Sequence, residues 1–223
     1  MTKPGGVATQ APAGIDSLEV RVKDFLRVRD GKTGNIYLGV PHRLDRPVSG
    51  LLVLARHVRA ARRLAEQFAA RTVRKTYWAV VDGLVQPDQG TWTDYLRKIP
   101  DAAQVEVVSP DDAEARQAVL QYHVLATDGA SSWLEIELET GRMHQIRIQA
   151  ASRGHSILGD SQYGSRVSFG PQTEDFRRRW IALHARRLEF LHPMTRQVVC
   201  QTAPLPPVWR SLPLASQIEA RRG

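Results

Sequence analysis

The sequence predicts an α+β fold: one domain built on a mostly antiparallel mixed sheet with flanking helices. Three observations carry this expectation. Apolar and polar residues alternate strictly in the longer β-rich stretches, clearest where Leu134, Ile136 and Leu138 interleave with Glu135, Glu137 and Glu139, the pattern of a strand with two unlike faces. Helical spacing of apolar residues occurs in only three short stretches, and the strands follow one another across turns such as Asp82-Gly83 rather than alternating with long helices. With 223 residues, 42% hydrophobic and 24% charged, the chain can bury a substantial core, and no linker divides it.

Asp16-Ser17 caps a first helix with Leu18, Val22, Phe25 and Leu26 on one face, ending near Asp30-Gly31. Leu51 to Ala55 is a short apolar run that reads as a buried strand. A second helix presents Ala60, Ala61, Leu64, Ala65 and Phe68 on one face. Thr76 to Val81 forms a core strand ending at Asp82-Gly83. The acidic, turn-rich stretch 84–115 is a peripheral excursion with strands around Thr91 to Leu96 and Gln104 to Val108. Strands follow at Ala118 to Ala126 and at Ser132 to Glu139, the latter with one wet face. Met143, Ile146, Ala150 and Ala151 then switch to helical spacing as far as Gly154, a C′ glycine. Ile181 to Ala185, Leu188 to Leu191 and Val198 to Thr202 are further strands, His192-Pro193 is a turn, and 204–223 is a proline-led tail.

Composition excludes several function classes. Met1 to Gly5 has no apolar signal core, and Leu51 to Ala55, the longest apolar stretch near a motif, is far too short to span a bilayer; the expectation is a cytoplasmic protein with no membrane partner. A single cysteine, Cys200, permits no internal disulfide and no thiolate zinc site, and the seven histidines show no close ligand spacing, so no metal is expected. The 31 Lys and Arg, all but five of them arginine, outnumber 23 Asp and Glu. They are segregated: residues 1–79 carry 15 bases and 6 acids, residues 80–141 carry 3 and 12, and residues 142–223 carry 13 and 5. Two basic thirds around an acidic middle predict a face that tracks a phosphate backbone, with the acidic segment turned outward. Arginine's planar fork suits phosphate and stacked bases.

Three clusters carry chemistry. The loop Pro41-His42-Arg43-Leu44-Asp45-Arg46-Pro47-Val48-Ser49-Gly50 sets a carboxylate between two guanidinium groups at the mouth of a core strand. Positive charge there favours the ionised form of Asp45, a ready nucleophile at neutral pH. A local surface ion pair is the commoner use of such a pattern, but a rigid strand beside it can aim a side chain. In Thr140 to Arg147, at a strand end and helix start, Arg142, His144 and Arg147 supply donors to an anion; a solvated helix end is the alternative. In Arg74-Lys75-Thr76-Tyr77-Trp78, alternation sends Tyr77 and Trp78 to opposite faces, so one aromatic is core and the other is available to stack on an unpaired base.

Taken together, His42-Arg43-Leu44-Asp45 with Ser49-Gly50-Leu51-Leu52, Lys75-Thr76-Tyr77, Thr140 to Arg147, Gly154 to Asp160 with Tyr163-Gly164, and Leu183-His184-Ala185 before His192-Pro193 closely resemble the RluA family of pseudouridine synthases, from about Lys3 to Pro206. The resemblance implies a pseudouridine synthase fold and the isomerisation of a specific uridine in rRNA or tRNA. The bond from N1 to the ribose is broken, the uracil is turned, and it is rejoined through C5, with no cofactor and no metal. Carried over by position, Asp45 resembles the catalytic aspartate, Tyr77 the tyrosine stacked on the target base, and Arg147 the basic partner of Asp45. Arg43, with His42 beside it in the RNA-binding loop, resembles the residue that replaces the extruded nucleotide in the stack. Arg142 and His144 then position the RNA backbone or shape the pocket, and His155 and Asp160 hold structure. The protein is expected to act as a monomer.

The sequence also departs from the family pattern. Lys3-Pro4-Gly5-Gly6 lies almost at the first residue, where relatives have an apolar strand ahead of it, so a sheet strand is expected to be missing. No separate N-terminal RNA-binding domain is read, and residues 1–223 form one catalytic domain. Val48 stands where Thr is frequent. Three other function classes compete: an RNA-binding module of the same fold without catalysis, a glycoside-type hydrolase, which lacks a second well-placed carboxylate, and a metal hydrolase.

Overall fold

The computed structural model describes residues 1–212 and 214–220. Its strands are β1 (Thr2–Lys3), β2 (Ser49–Leu51), β3 (Arg74–Asp82), β4 (Gln89–Lys98), β5 (Val105–Val108), β6 (Arg116–Thr127), β7 (Ser131–Leu138), β8 (Leu183–Leu191) and β9 (Val198–Thr202). Its helices are α1 (Leu18–Arg29), α2 (Val58–Ala69), α3 (Gln145–Ala151) and α4 (Ala215–Ala220). The strands form one nine-stranded sheet in the order β1-β2-β8-β3-β7-β6-β4-β5, with β9 beside β8. Every described pairing is antiparallel except β2 with β8. This is the expected α+β fold with a mostly antiparallel mixed sheet.

Alternation in β3 and β7 builds the core. Tyr77, Ala79 and Val81 share a face with Leu134 and Ile136, while Trp78 and Val80 share the other with Trp133. Ala79, Val80, Val81, Trp133, Leu134 and Ile136 are fully buried. Trp78 meets Trp133 edge-on at 4.6 Å, and its indole N–H donates to Glu135 at 3.0 Å. The expected wet face of β7 is therefore confined to its glutamates: Glu137 pairs with Arg74, whereas Trp133 on the same face is closed off.

Several sequence expectations are corrected by packing. The strand expected at Leu51 to Ala55 is Ser49–Leu51, because β9 takes over the same edge of β8 from Arg187 onward; Leu52 and Ala55 are buried without a ladder. The two pieces expected at Ile181 to Ala185 and Leu188 to Leu191 are one strand, since β3 pairs along both. Phe25, placed on the apolar face of α1, is 60% exposed, and only Leu18 and Leu26 of that helix are buried. Residues read as tail reach the core, with Leu205, Trp209, Leu212 and Leu214 buried. Thr2–Lys3 forms a short edge strand on β2. No helix among the described residues is long and apolar enough to cross a membrane.

Candidate active site

Four parts of the chain converge on one cleft of about 540 Å³: the loop entering β2, the end of α2 with Arg71 beyond it, the start of β3, and the turn between β7 and α3. Of the acidic middle third, 80–141, only Leu138 and Gly141 line it, so the carboxylates of that segment are kept off this surface.

The loop is held from behind. Leu44 and Val48 bury their side chains, and the Val48 N–H donates to the Asp45 carbonyl at 3.1 Å, making a turn that projects Asp45. The Thr9 hydroxyl donates to the Leu44 carbonyl at 2.8 Å and accepts from the Leu44 N–H at 3.1 Å. Lys3 is completely buried, and its ammonium donates to the carbonyls of Pro4, Val7 and Arg46 at 2.8–3.1 Å; burial pulls it down to about 7. At the loop exit Gly50 has φ +120, and a Cβ there would lie within 2.7 Å of the Ala185 backbone, so only glycine lets β2 dock on β8. Beside it, the Ser49 hydroxyl bonds the fully buried His184 ring at 2.8 Å.

Asp45, 27% exposed at its side chain, is the one carboxylate among the lining residues. Arg147 Nη1 stands 3.6 Å from its Oδ2, and His144 Nε2 stands 3.9 Å away. Arg147 is itself buried, with a bidentate pair to Asp160 at 2.6 and 2.7 Å and a further bond from Nη2 to Gln162 at 2.7 Å. Burial opposes its charge, but Asp160, joined by Asp45 and Tyr163, more than offsets this and raises its pKa. Its guanidinium also lies 4.9 Å over the Tyr163 ring.

His144 occupies a left-handed backbone position, φ 51, ahead of α3. The turn that puts it there is tied by Gln145, whose Oε1 accepts from the Thr140 hydroxyl and the Arg142 N–H. Burial lowers the His144 pKa, with Asp45 opposing in part. Tyr163 OH accepts from the Val105 N–H and lies 2.8 Å from His144 Nδ1, which fixes the ring with Nε2 toward Asp45.

Tyr77 lines the cleft from β3 while Trp78 turns to the other face, as alternation predicts. A bulge against β8 falls between Thr76 and Tyr77, a local re-aiming of the strand at its functional side chain. Burial, with a smaller contribution from the Asp45 charge, holds the Tyr77 phenol well above its ordinary range, so it stays protonated.

The family model described as RNA pseudouridylate synthase matches residues 1–152. The chain belongs to the RNA pseudouridylate synthase family. Among curated relatives of this pseudouridylate synthase family member, an uncharacterized RNA pseudouridine synthase of Chloroflexus aurantiacus is 42% identical over 92% of this chain and 62% of its own length. One named YlyB from Bacillus subtilis is 38% identical over 92% and 65%. The ribosomal large subunit pseudouridine synthase D of Nitrosomonas europaea is 39% identical over 75% and 48%, so the chain spans about half to two-thirds of the length of these relatives. A human structure, RNA pseudouridylate synthase domain containing 4, shares the fold with a TM-score of 0.73 over 92% of this chain and 84% of its own, at 24% identity.

Within this pseudouridylate synthase fold, all seven sequence-predicted site residues, Asp45, Tyr77, Arg147, Arg43, His42, Arg142 and His144, line the one cleft. Their settings differ from expectation in two ways. His42 accepts from the Val53 N–H at 3.1 Å and stacks on Phe68 at 4.3 Å, and burial pushes it down to about 3, so it is a neutral ring locked to the scaffold. Arg142 and His144 precede α3 instead of forming its first turn, because the left-handed backbone at His144, φ 51, interrupts the helix there. Sequence reasoning gave Asp160 a merely structural place, quoted Tyr163 in its motif without assigning it a role, and did not single out Gln162. The Gly159-Asp160 and Tyr163-Gly164 pairs were the available signal, but their contact with Arg147 arises only in the fold. Among the described residues, no group of three or more His, Cys, Asp or Glu could hold a metal.

Proposed function

We propose that this chain isomerises a specific uridine of rRNA or tRNA to pseudouridine, using Asp45 and no cofactor, as a monomer in the cytoplasm. The observation that carries the reading is a lone carboxylate in a cation-lined cleft, 3.6 Å from a guanidinium that is itself anchored by a second, buried carboxylate. A pyrimidine lifted out of its stack fits such a cleft, with the protonated Tyr77 ring as its stacking surface and Arg43 at the rim to fill the gap left in the RNA. Asp45, 3.6 Å from the Arg147 guanidinium, adds to the base at C6 or acts at the ribose C1′. Either route breaks the N1–C1′ bond and forms C5–C1′. C5 then loses its proton, N1 gains one, and no electrons are exchanged. The names of the ribosomal large subunit relatives favour rRNA as the first substrate to try.

The test uses the full chain and rRNA or tRNA transcripts labelled with tritium at uracil C5. Isomerisation releases the label to water. Wild type is expected to release it, and Asp45→Asn to release none while retaining RNA on a filter within about threefold of wild type, since one lost charge is small beside the basic surface. Equal release by the variant would remove Asp45 from the mechanism.

A further inference from the structure

Five Lys or Arg side chains line the cleft against a single carboxylate. Arg147 pairs with Asp45 and Asp160, but Arg43, Arg71, Lys75 and Arg142 have no carboxylate within 4 Å among the described residues. Three of these come from separate elements. Arg71 follows α2, Lys75 is the second residue of β3, and Arg142 belongs to the turn before α3. The Lys75 ammonium lies 3.6 Å from where a Cβ on Gly141 would be, so it sits against the Gly141-Arg142 segment. Arg142 Nε donates to the Gln117 carbonyl at 3.0 Å, which fixes the guanidinium plane and leaves its two Nη groups without a hydrogen-bond partner among the described residues. Burial, and then the charge of Arg71, lower both Lys75 and Arg142, the mark of like charges gathered with no anion between them.

The backbone at Arg71 points the same way. Helix α2 closes with Thr72 N–H on the Gln67 carbonyl and Arg71 N–H on the Phe68 carbonyl, which puts Arg71 in the left-handed position, φ 58, where glycine is favoured. Near the end of α3 the left-handed position is filled by Gly154, φ 80. An arginine held there against its backbone preference, at the lip of the cleft, is strain of the kind that accompanies function.

We propose that Arg71, Lys75 and Arg142 form a phosphate subsite that grips the RNA backbone beside the extruded nucleotide. The subsite rests on the reading of the cleft as an RNA site. It fixes where the strand crosses the rim, and it assigns Arg71 and Lys75 to RNA binding, with Arg142 as their third member.

The experiment measures RNA binding of the full chain by filter retention across a potassium chloride series, using Arg71→Gly and Lys75→Gln. Glycine suits the backbone at position 71, so Arg71→Gly is expected to melt at or above the wild-type temperature while weakening RNA binding roughly fivefold to tenfold. Each variant is expected to lower the slope of log affinity against log salt by about 0.7, one phosphate contact on a single strand. Arg196→Gly is the matched control: it too is exposed and left-handed, φ 63, but it lies in the β8–β9 turn and does not line the cleft. Its slope is expected to equal that of wild type. If both cleft variants keep the wild-type slope, or Arg196→Gly loses as much, the subsite is overturned. If wild type neither retains RNA nor releases tritium, the isomerase reading fails first and the subsite falls with it.

Discussion

Asp160→Asn isolates the contact that holds the Arg147 guanidinium. The Arg147 and Asp160 side chains are 4% and 1% exposed and meet through two bonds of 2.6 and 2.7 Å. Asparagine keeps one acceptor but turns an NH2 donor toward a donor of Arg147, leaving the guanidinium with Gln162 at 2.7 Å and Asp45 at 3.6 Å. Breaking a buried ion pair from one side costs about 3–5 kcal/mol; with Gln162 and Asp45 still in place, the lower end, about 3 kcal/mol, is expected. For a chain of this length that is a fall in Tm of about 6–12 °C. Urea unfolding and calorimetry read the stability. Tritium release under single-turnover conditions reads the site, where the loosened guanidinium closes on Asp45 and the rate falls about a hundredfold, with RNA retention within about threefold of wild type. A stability loss under about 1 kcal/mol together with wild-type release would refute the claim that Asp160 anchors Arg147.

Three further perturbations test the scaffold. Gly50→Ala drives a methyl into the Ala185 backbone at a left-handed position and is expected to cost about 3 kcal/mol or more, read as a lowered melt; an unchanged Tm would contradict the close approach of β2 to β8. Thr9→Val strands both the N–H and the carbonyl of Leu44, so stability is expected to fall by about 2–4 kcal/mol and tritium release to slow, measured by urea unfolding and initial rates. The pH dependence follows from His42 and His184, which burial pushes down to about 3 and about 4. Because the unfolded chain takes up protons that these native rings refuse, their contribution is fully present above pH 6.5 and is lost as pH falls toward those values, at up to about 1.4 kcal/mol per pH unit for each ring. Unfolding free energies at pH 7 and pH 5 should differ by about 4 kcal/mol, and His42→Gln should remove about half of that difference; an undiminished slope would mean that His42 is protonated in the native protein.

Local order was legible because it is written in local chemistry. Ser17 caps α1 by accepting from the Val20 N–H, as the Asp16-Ser17 signal predicts, and the alternation through β3 put Tyr77 in the cleft and Trp78 in the core. The site residues could be named from their motifs, because a carboxylate among arginines and a histidine-arginine turn before a short helix are compact patterns. What each does was less legible. His42 stands in the same loop as Asp45, yet the Val53 N–H and the Phe68 ring, 11 and 26 positions further on, make it a neutral scaffold group. Phe25 shows the reverse failure, since helical spacing marks a face as apolar without saying whether anything packs on it.

By itself, then, the sequence determined the fold class, the separation of basic from acidic segments, and the side chains that line the cleft, since alternation, capping and charge act between near neighbours along the chain. Tertiary structure alone decided that Asp160 is the principal counter-charge of Arg147, that Lys3 and Thr9 brace the Asp45 loop from 43 and 35 positions away in the chain, and that β2 stops after three residues because β9 occupies the rest of that edge of β8. These depend on dry contacts between segments that only closure of the sheet brings together, where a guanidinium or ammonium must find every partner within the protein because water has been excluded.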